Sequence, residues 1–228
     1  SKGKGGSMHL FDASKGFLGG YAIVGGMMPV ATGLALASKY KNEDRICLCI
    51  FGDGAVNEGE FHESFNLAAL WKLPIIFLLE NNGFGMGTRV ERAHAGQSMH
   101  RLADAFSMPT DTVDGMDVLA VQKAMGRAVE YTRKGDGPFF LESITYRFRG
   151  HSMADPVAYR DKEEEEVWRQ RDPINQLAIE LRRGKQASQQ ELDAIAASVE
   201  DEVGEAIKFA NESPEPSREE MFRDIVAD

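Results

Sequence analysis

The stretch from 45 to 87 constrains the fold of this chain more than any other. It opens with an apolar run, Ile46 to Phe51, whose β-branched and small residues predict a strand covered on both faces. That run ends at Gly52-Asp53-Gly54. Apolar residues then recur at helical spacing up to a second apolar run, Ile75 to Leu79, which ends at Glu80-Asn81-Asn82-Gly83. The pattern predicts strand, helix and strand in one βαβ unit.

A right-handed crossover makes the two strands parallel, so their carboxyl ends share one edge of the sheet. Asp53 and Asn82 are therefore expected side by side at the edge where open α/β sheets bind ligands. A carboxylate and an amide oxygen are donors that Mg²⁺ prefers, and the glycines around Asp53 would let a diphosphate approach the backbone. Either motif alone is a common turn. Their placement at equivalent strand ends favours a binding site.

Several motifs resemble one enzyme family. GDG at 52–54, NEG at 57–59 and ENN at 80–82 look like the motif that binds thiamine diphosphate. Further motifs make the chain similar, from Gly5 to about Pro216, to the alpha subunit of the decarboxylating component of the pyruvate dehydrogenase complex. They are LAALWKLP at 67–74, ENNGFGMGT at 80–88, VDGMD at 113–117 and YRFRGHSMADP at 146–156.

The resemblance implies a set of site residues. Asp53 and Asn82 would give side-chain oxygens to Mg²⁺, and Phe84 would give its backbone carbonyl. His151 would reach the diphosphate and the reacting centre, and His9 lies in a loop that is near the active site in the family. The remaining cofactor contacts would be Ala22 and Val24 at the aminopyrimidine, Gly52, Gly54 and Ala55 at the diphosphate, and Met86 beside the bent cofactor.

A third strand, predicted over Phe139 to Tyr146, delivers basic residues to the same edge. Arg147 and His151 could attract a diphosphate, and the imidazole could transfer protons. The following loop, 148–162, has little apolar content and is expected to be mobile until a cofactor binds. Ser152 matches a serine that is phosphorylated in mitochondrial relatives, whereas Ala158 stands where the family has a second serine, which leaves phosphorylation open.

The predicted fold class is α/β: a parallel sheet flanked by helices, the diphosphate-binding domain of the thiamine diphosphate-binding fold, with a C-terminal helical arm. The domain prediction is 1–160 for the α/β part and 161–228 for the helical extension, which would pack on the same domain or on a partner. Residues 85–100 are predicted as an irregular loop. The glycine-rich start, 1–6, is expected to be flexible, and the family implies a further helical segment upstream of it.

Charge and composition narrow the class of protein. Lys and Arg number 26 against 36 Asp and Glu, a net charge of −10, and the acidic excess falls after 150. No basic stripe is offered to nucleic acid, and no apolar stretch approaches 18 residues. Cys47 and Cys49 alternate along one strand and are predicted to be buried thiols of a reducing compartment. The expected location is the cytoplasm of a bacterium, or the mitochondrial matrix of a eukaryote.

The resemblance also implies an activity and partners. With thiamine diphosphate and Mg²⁺, the enzyme would decarboxylate pyruvate and reductively acetylate the lipoyl group of a transacylase. The active site would be shared with a beta subunit in an α₂β₂ heterotetramer. Acetoin dehydrogenase, the branched-chain 2-oxo acid enzyme and a catalytically silent subunit stay open as alternatives. A nicotinamide enzyme is disfavoured because no GxGxxG follows the first strand.

Overall fold

The structure, a computed structural model, describes residue 6, residues 8–96 and residues 98–223. The flexible start predicted from the sequence lies outside the described residues, apart from Gly6. The chain divides into two compact units, Ser1–Pro173 and Ile174–Asp228. In chain order, the helices and strands up to the division are α1 (Met27–Tyr40), β1 (Cys47–Gly52), α2 (Gly59–Leu70), β2 (Ile75–Asn81), β3 (Phe84–Gly85), β4 (Thr88–Arg89), α3 (Val90–Ala93), β5 (Thr110–Asp114), α4 (Val118–Arg133), β6 (Phe139–Ile144) and α5 (Lys162–Arg169).

A parallel four-stranded sheet forms the centre of the first unit. The strand order is β1, β2, β6, β5, and every neighbouring pair is parallel. Gly52 at the end of β1 pairs with Glu80, and Asn81 at the end of β2 pairs with Ile144 at the end of β6. The carboxyl ends of three strands are therefore nearly level at one edge. The predicted fold class, a parallel sheet flanked by helices, is confirmed.

Phenylalanine rings fill the core between the sheet and the helices α1 and α2. Phe65 of α2 stacks on Phe61 with ring centroids 3.9 Å apart and on Phe77 of β2 at 4.2 Å. Phe51 of β1 stacks on Phe140 of β6 at 6.4 Å. On the other face, small residues of α4 let that helix lie close to β2, β5 and β6. Two helical layers thus cover the central strands.

The prediction that β1 is covered on both faces is wrong. Cys49 and Phe51 are buried, but Leu48 and Ile50 are 48% and 49% exposed. Side chains alternate between the two faces of a strand, and β1 lies at the edge of the sheet. Among the described residues, α1 covers the inner face of β1, whereas α4 packs on the strands farther along the sheet. The cysteines are free thiols, with Cys49 buried and Cys47 half-buried.

Several element bounds also differ from the predictions. The predicted irregular loop at 85–100 contains the β3–β4 hairpin, the short helix α3 and the start of a 3-10 helix, Met99–Phe106. The hairpin closes through Met86, which has φ +53°. A left-handed residue in a two-residue turn is easily overlooked when it is not glycine or asparagine. The strand β6 ends two residues before the predicted Tyr146, because that ring leaves the sheet to stack on Trp168.

Helix α5 belongs to the first unit, although the predicted α/β domain ended at 160. The Trp168 ring of α5 lies 5.3 Å from that of Tyr146 and is nearly parallel to it. Glu164 of the same helix forms an ion pair with Arg89 of β4. These contacts carry the first unit to Pro173.

The second unit consists of helices. Beyond the division run most of α6 (Pro173–Arg183), then α7 (Gln189–Glu212) and a 3-10 helix, Arg218–Phe222. A capping box of Ser188 and Glu191 starts α7. Four branched apolar residues of α7 are at least half exposed: Ile195, Val199, Val203 and Ile207. No helix in the described part of the chain is long and apolar enough to cross a bilayer.

The phenylalanine core gives a prediction for stability. Phe65→Ala removes a fully buried ring with several aromatic neighbours, so the free energy of unfolding should fall by about 3–5 kcal/mol. Leu70→Ala on the same helix is the matched control: Leu70 is 69% exposed, and its removal should change that energy by about 0.5 kcal/mol or less. Denaturant titration of both variants checks this. Equal losses would contradict the described core.

Candidate metal and diphosphate site

Asp53 stands where the first strand meets the ligand edge. It follows β1 directly, begins the 3-10 helix Asp53–Asn57, and is only 2% exposed. Its Oδ1 accepts a hydrogen bond from the backbone N–H of Asn82 at 3.2 Å. The structure therefore brings together the two residues that the sequence analysis placed side by side.

The segment after β2 forms a tight turn. The Oδ1 of Asn82 accepts a hydrogen bond from the backbone N–H of Phe84 at 3.2 Å, and the Oδ1 of Asn81 accepts one from Gly83 at 3.2 Å. Gly83 has φ +79°, a conformation that glycine adopts without steric cost. The turn places Asn82, and the strand β3 that begins at Phe84, beside the 3-10 helix that begins at Asp53.

The electrostatics around Asp53 would favour a bound cation. Burial is the largest influence and raises the pKa of its carboxyl group, while the bond from Asn82 and the charge of Arg147 act in the opposite direction. Glu91 raises that pKa further. Within the described residues, no basic side chain lies within 4.0 Å of this carboxylate to form an ion pair. A buried carboxylate without a charged partner is costly, and a bound cation would reduce that cost.

The donor set fits a hard divalent ion. It consists of one carboxylate, the amide oxygen of Asn82 and the backbone carbonyl available at Phe84, all oxygen donors of the kind that Mg²⁺ takes. No group of three or more His, Cys, Asp or Glu suited to a metal occurs in the part of the chain that the structure describes. Oxygens from amide and carbonyl groups thus complete the candidate set.

Two glycines let two backbone segments pack closely beside Asp53. A Cβ added to Gly54 would lie 3.3 Å from the Cα of Gly85, and one added to Gly85 would lie 3.4 Å from the Cα of Gly54. The two backbones therefore approach each other closely, and either side chain would crowd the space between the end of β1 and the β3–β4 hairpin. Gly52 and Ala55 flank this approach on the chain. A Cβ added to Gly52 would meet nothing within 4 Å, so the space that fits a diphosphate lies beside Gly52.

Arg147 links the end of the third strand to the hairpin. Its Nη2 donates to the backbone carbonyl of Met86 at 3.0 Å and to the Tyr159 hydroxyl at 3.4 Å. Its Nη1 lies 3.4 Å from the Nδ1 of His151. Met86, Arg147 and His151, three of the residues singled out in the sequence, thus lie together.

Asp155 organises the loop that carries His151. Its carboxylate accepts hydrogen bonds from the backbone N–H of His151 at 2.7 Å, the N–H of Val157 at 2.9 Å and the hydroxyl of Tyr159 at 2.6 Å. With the Tyr159 bond as the largest cause, these contacts lower the pKa of Asp155 to about 2. The network therefore persists until the pH falls toward that value. Whether cofactor binding changes the mobility of this loop stays a prediction.

Other predicted site residues are not joined to this cluster. Ala22 and Val24 are exposed, and nearby Gly25, with φ +85°, would bring a Cβ within 3.0 Å of Glu58. This places their segment beside the start of α2. His9 is half-buried, and within the described residues no hydrogen bond or ring contact links it to Asp53 or His151. The roles predicted for these residues stay predictions.

Four residues that form hydrogen bonds around the candidate site were not predicted from the sequence. Asp155 and Tyr159 gave no periodic signal, because they act within a loop whose form depends on their mutual bond. Asn81 was passed over in favour of its neighbour. Glu142 offered a usable signal: it is a charged residue inside an otherwise buried strand, a placement that requires partners.

Comparisons with known proteins agree with this architecture. The family model described as "Dehydrogenase E1 component" matches residues 1–219. The chain belongs to the dehydrogenase E1 component family. It is 48% identical to the pyruvate dehydrogenase E1 component subunit alpha of Rhizobium meliloti, with 99% of this chain and 65% of the relative covered. Its identity to the subunit of that name in Porphyra purpurea is 46%, with 100% and 68% covered.

A third relative comes from a eukaryotic organelle. The chain is 49% identical to the testis-specific mitochondrial form of the same subunit from Homo sapiens, with 100% of this chain and 58% of the relative covered. Across these three relatives, the chain spans 58% to 68% of their length.

The raised pKa of Asp53 predicts a trade between stability and binding. Asp53→Asn keeps an oxygen acceptor for the Asn82 N–H but removes a buried charge, so the ligand-free protein should gain about 1 kcal/mol, or roughly 2–4 °C in Tm, at pH 7. The gain should shrink as the pH falls below the raised pKa, since the native carboxyl is then protonated too. Thermal unfolding at pH 7 and pH 4 measures it. A less stable variant at pH 7 would contradict the account.

The loop network predicts a local effect. Tyr159→Phe removes the hydroxyl that donates to Asp155, so limited proteolysis within 148–160 should become several times faster, while the Tm changes little because the ring stays in place. Tyr131→Phe is the matched control, since the Tyr131 hydroxyl donates to the backbone carbonyl of Asp136, just beyond the end of α4. Equal cleavage rates in Tyr159→Phe and the unsubstituted protein would count against the network.

Proposed function

We propose that this chain is the alpha-subunit part of a thiamine diphosphate-dependent 2-oxo acid dehydrogenase and acts on pyruvate. The observation that carries the proposal is the contact of the buried Asp53 carboxylate with Asn82 at the level ends of two parallel strands. Membership of the dehydrogenase E1 component family supports it, as do relatives named as pyruvate dehydrogenase alpha subunits.

The residues of the ligand edge have separate tasks. Asp53, Asn82 and the carbonyl of Phe84 would hold Mg²⁺, and the open space beside Gly52 would leave room for the diphosphate. Bound thiamine diphosphate supplies the electron sink for decarboxylation of a 2-oxo acid. The protein's own contribution is binding and orientation at an edge where two strands and the hairpin meet.

Basic groups complete the anion site. Arg147 brings a guanidinium to the edge, held by the Met86 carbonyl, and its charge partly opposes the rise in the pKa of Asp53 that burial causes. His151 lies beside it with its backbone fixed by Asp155, while its exposed ring is free to reach a ligand and to hold or transfer a proton. His9 is proposed as a second histidine of the site, on the family resemblance alone.

The proposal includes partners. A beta subunit would supply the pyrimidine-binding half of the active site in an α₂β₂ assembly, and a lipoyl-bearing transacylase would accept the acetyl group. The names of the relatives support a subunit role, since each is one component of an E1 enzyme. Bacterial cytoplasm or a mitochondrial matrix would be the location.

Reconstitution tests this function. The chain is assembled with its beta subunit, Mg²⁺ and thiamine diphosphate, and reduction of an artificial electron acceptor is followed with pyruvate, acetoin or 2-oxoisovalerate. We expect pyruvate to give the highest kcat/KM. Preference for another of these substrates would reassign the substrate, and activity with none would support a silent subunit.

Asp53→Ala supplies the matching variant. It should abolish calorimetrically detected binding of Mg²⁺ with thiamine diphosphate while leaving the far-ultraviolet circular dichroism unchanged. Asp136→Ala is the control, since that residue lies in the turn after α4, away from the strand ends that carry Asp53 and Asn82. Undiminished binding by Asp53→Ala would remove Asp53 from the ligand set.

A further inference from the structure

Glu142 is a buried charge that the proposed function leaves unused. It lies in the middle of β6, is 3% exposed, and is paired in register with Leu79 of β2 and Thr112 of β5. A charge in the centre of a sheet requires compensating hydrogen bonds. Glu142 has them, and they lead toward the candidate metal site.

The carboxylate accepts hydrogen bonds from three neighbours. Its Oε1 accepts from the Nδ2 of Asn81 at 2.8 Å. Its Oε2 accepts from the backbone N–H of His100 at 2.9 Å and lies 3.1 Å from the Nδ1 of the His100 ring. The hydroxyl of Thr112 is 3.5 Å from that oxygen. One carboxylate thus joins the end of β2, the 3-10 helix Met99–Phe106 and β5.

The Glu142 carboxylate fixes the orientation of the Asn81 side-chain amide. Because Glu142 can only accept, Asn81 must turn its NH₂ group toward it. The amide oxygen of Asn81 then faces the opposite way, where it accepts from the backbone N–H of Gly83 at 3.2 Å. Gly83 is the left-handed residue of the turn that carries Asn82 and Phe84. The direction of one amide therefore sets the form of that turn.

We propose that Glu142 is a positioning residue for the candidate metal site. It orients the Asn81 amide, and through it the Gly83 turn that presents Asn82 and Phe84 beside Asp53. The inference rests on the proposed function, because it assigns Glu142 to the support of the proposed Mg²⁺ ligands. A purely structural role, anchoring His100 to the sheet, is the alternative that the test must separate.

Exchanging the carboxylate of residue 142 with the amide of residue 81 separates these roles. In Glu142→Gln, the backbone N–H of His100 cannot turn, so it keeps the oxygen of the new amide and the NH₂ group faces Asn81. Either that NH₂ opposes the NH₂ of Asn81, or Asn81 turns its own NH₂ toward the Gly83 N–H; both arrangements oppose two donors. In Asn81→Asp, two carboxylates face each other. The double variant restores a donor facing an acceptor, because the introduced glutamine can donate to the introduced aspartate, which still accepts from the Gly83 N–H. Net charge in the double variant equals that of the original chain.

Two quantities are measured on these variants. The first is the hydrogen-exchange rate of the Gly83 amide in the ligand-free chain. The second is the Kd for Mg²⁺, by calorimetry, in the αβ assembly with thiamine diphosphate. Glu142→Gln should speed Gly83 exchange by roughly fivefold and raise the Kd by about tenfold. The double variant should return both to within about threefold of the original values.

Two further variants control for misfolding of Glu142→Gln and for the loss of a carboxylate elsewhere on the chain. Asn81→Ala removes the amide that Glu142 orients but leaves the bonds from His100 and Thr112 to Glu142 in place. It should weaken Mg²⁺ binding by about tenfold, and it supplies this test even if Glu142→Gln does not fold. Glu130→Gln removes an exposed carboxylate paired with Lys134 and should change neither quantity.

The outcomes are distinct. An unchanged Kd for Mg²⁺ in both Asn81→Ala and Glu142→Gln would overturn the inference. It would also be overturned if Glu142→Gln and Asn81→Asp each weaken Mg²⁺ binding and the double variant does not restore it. Absence of Mg²⁺ binding by the original assembly would contradict the proposed function instead. In that case, unchanged Gly83 exchange in Glu142→Gln would overturn the orienting role as well, and faster exchange would uphold it.

Discussion

The level register of three parallel strands is the constraint on which the candidate site depends. Because β1, β2 and β6 end within a residue of one another, the segments that follow them meet at one edge. The contact between the Asp53 carboxylate and the Asn82 backbone results directly from this register. A slip of one residue would also reverse the face of every side chain in the slipped strand, and the buried phenylalanines would prevent it.

The site combines a cost in stability with an arrangement suited to binding. Asp53 is buried, so its charged form is destabilised and its pKa is raised. Among the described residues it forms no ion pair with a basic side chain, which leaves the carboxylate available to a metal ion. Asp155 shows the opposite case, since three hydrogen bonds satisfy it and lower its pKa to about 2. The Asp53 carboxylate is thus available to a ligand, whereas the Asp155 carboxylate stabilises its loop.

The sequence was sufficient for the features that rest on local patterns and chain topology. Apolar runs and helical spacing predicted the βαβ unit, and the parallel crossover predicted that Asp53 and Asn82 meet. The exposure of Leu48 and Ile50 was not predictable in this way, because it depends on which strand lies at the sheet edge. The hairpin at Met86 and the Asp155–Tyr159 bond depend on side chains that meet only after folding.

The central claim is that oxygens of Asp53, Asn82 and Phe84 hold one divalent ion at the ends of β1 and β2. The most direct test is a crystal structure of the αβ assembly grown with Mn²⁺, as an anomalous scatterer in place of Mg²⁺, and thiamine diphosphate. The account predicts one anomalous peak about 2.0–2.3 Å from each of the three oxygens. A peak bound to other residues, with Asp53 still paired only to the Asn82 N–H, would contradict it.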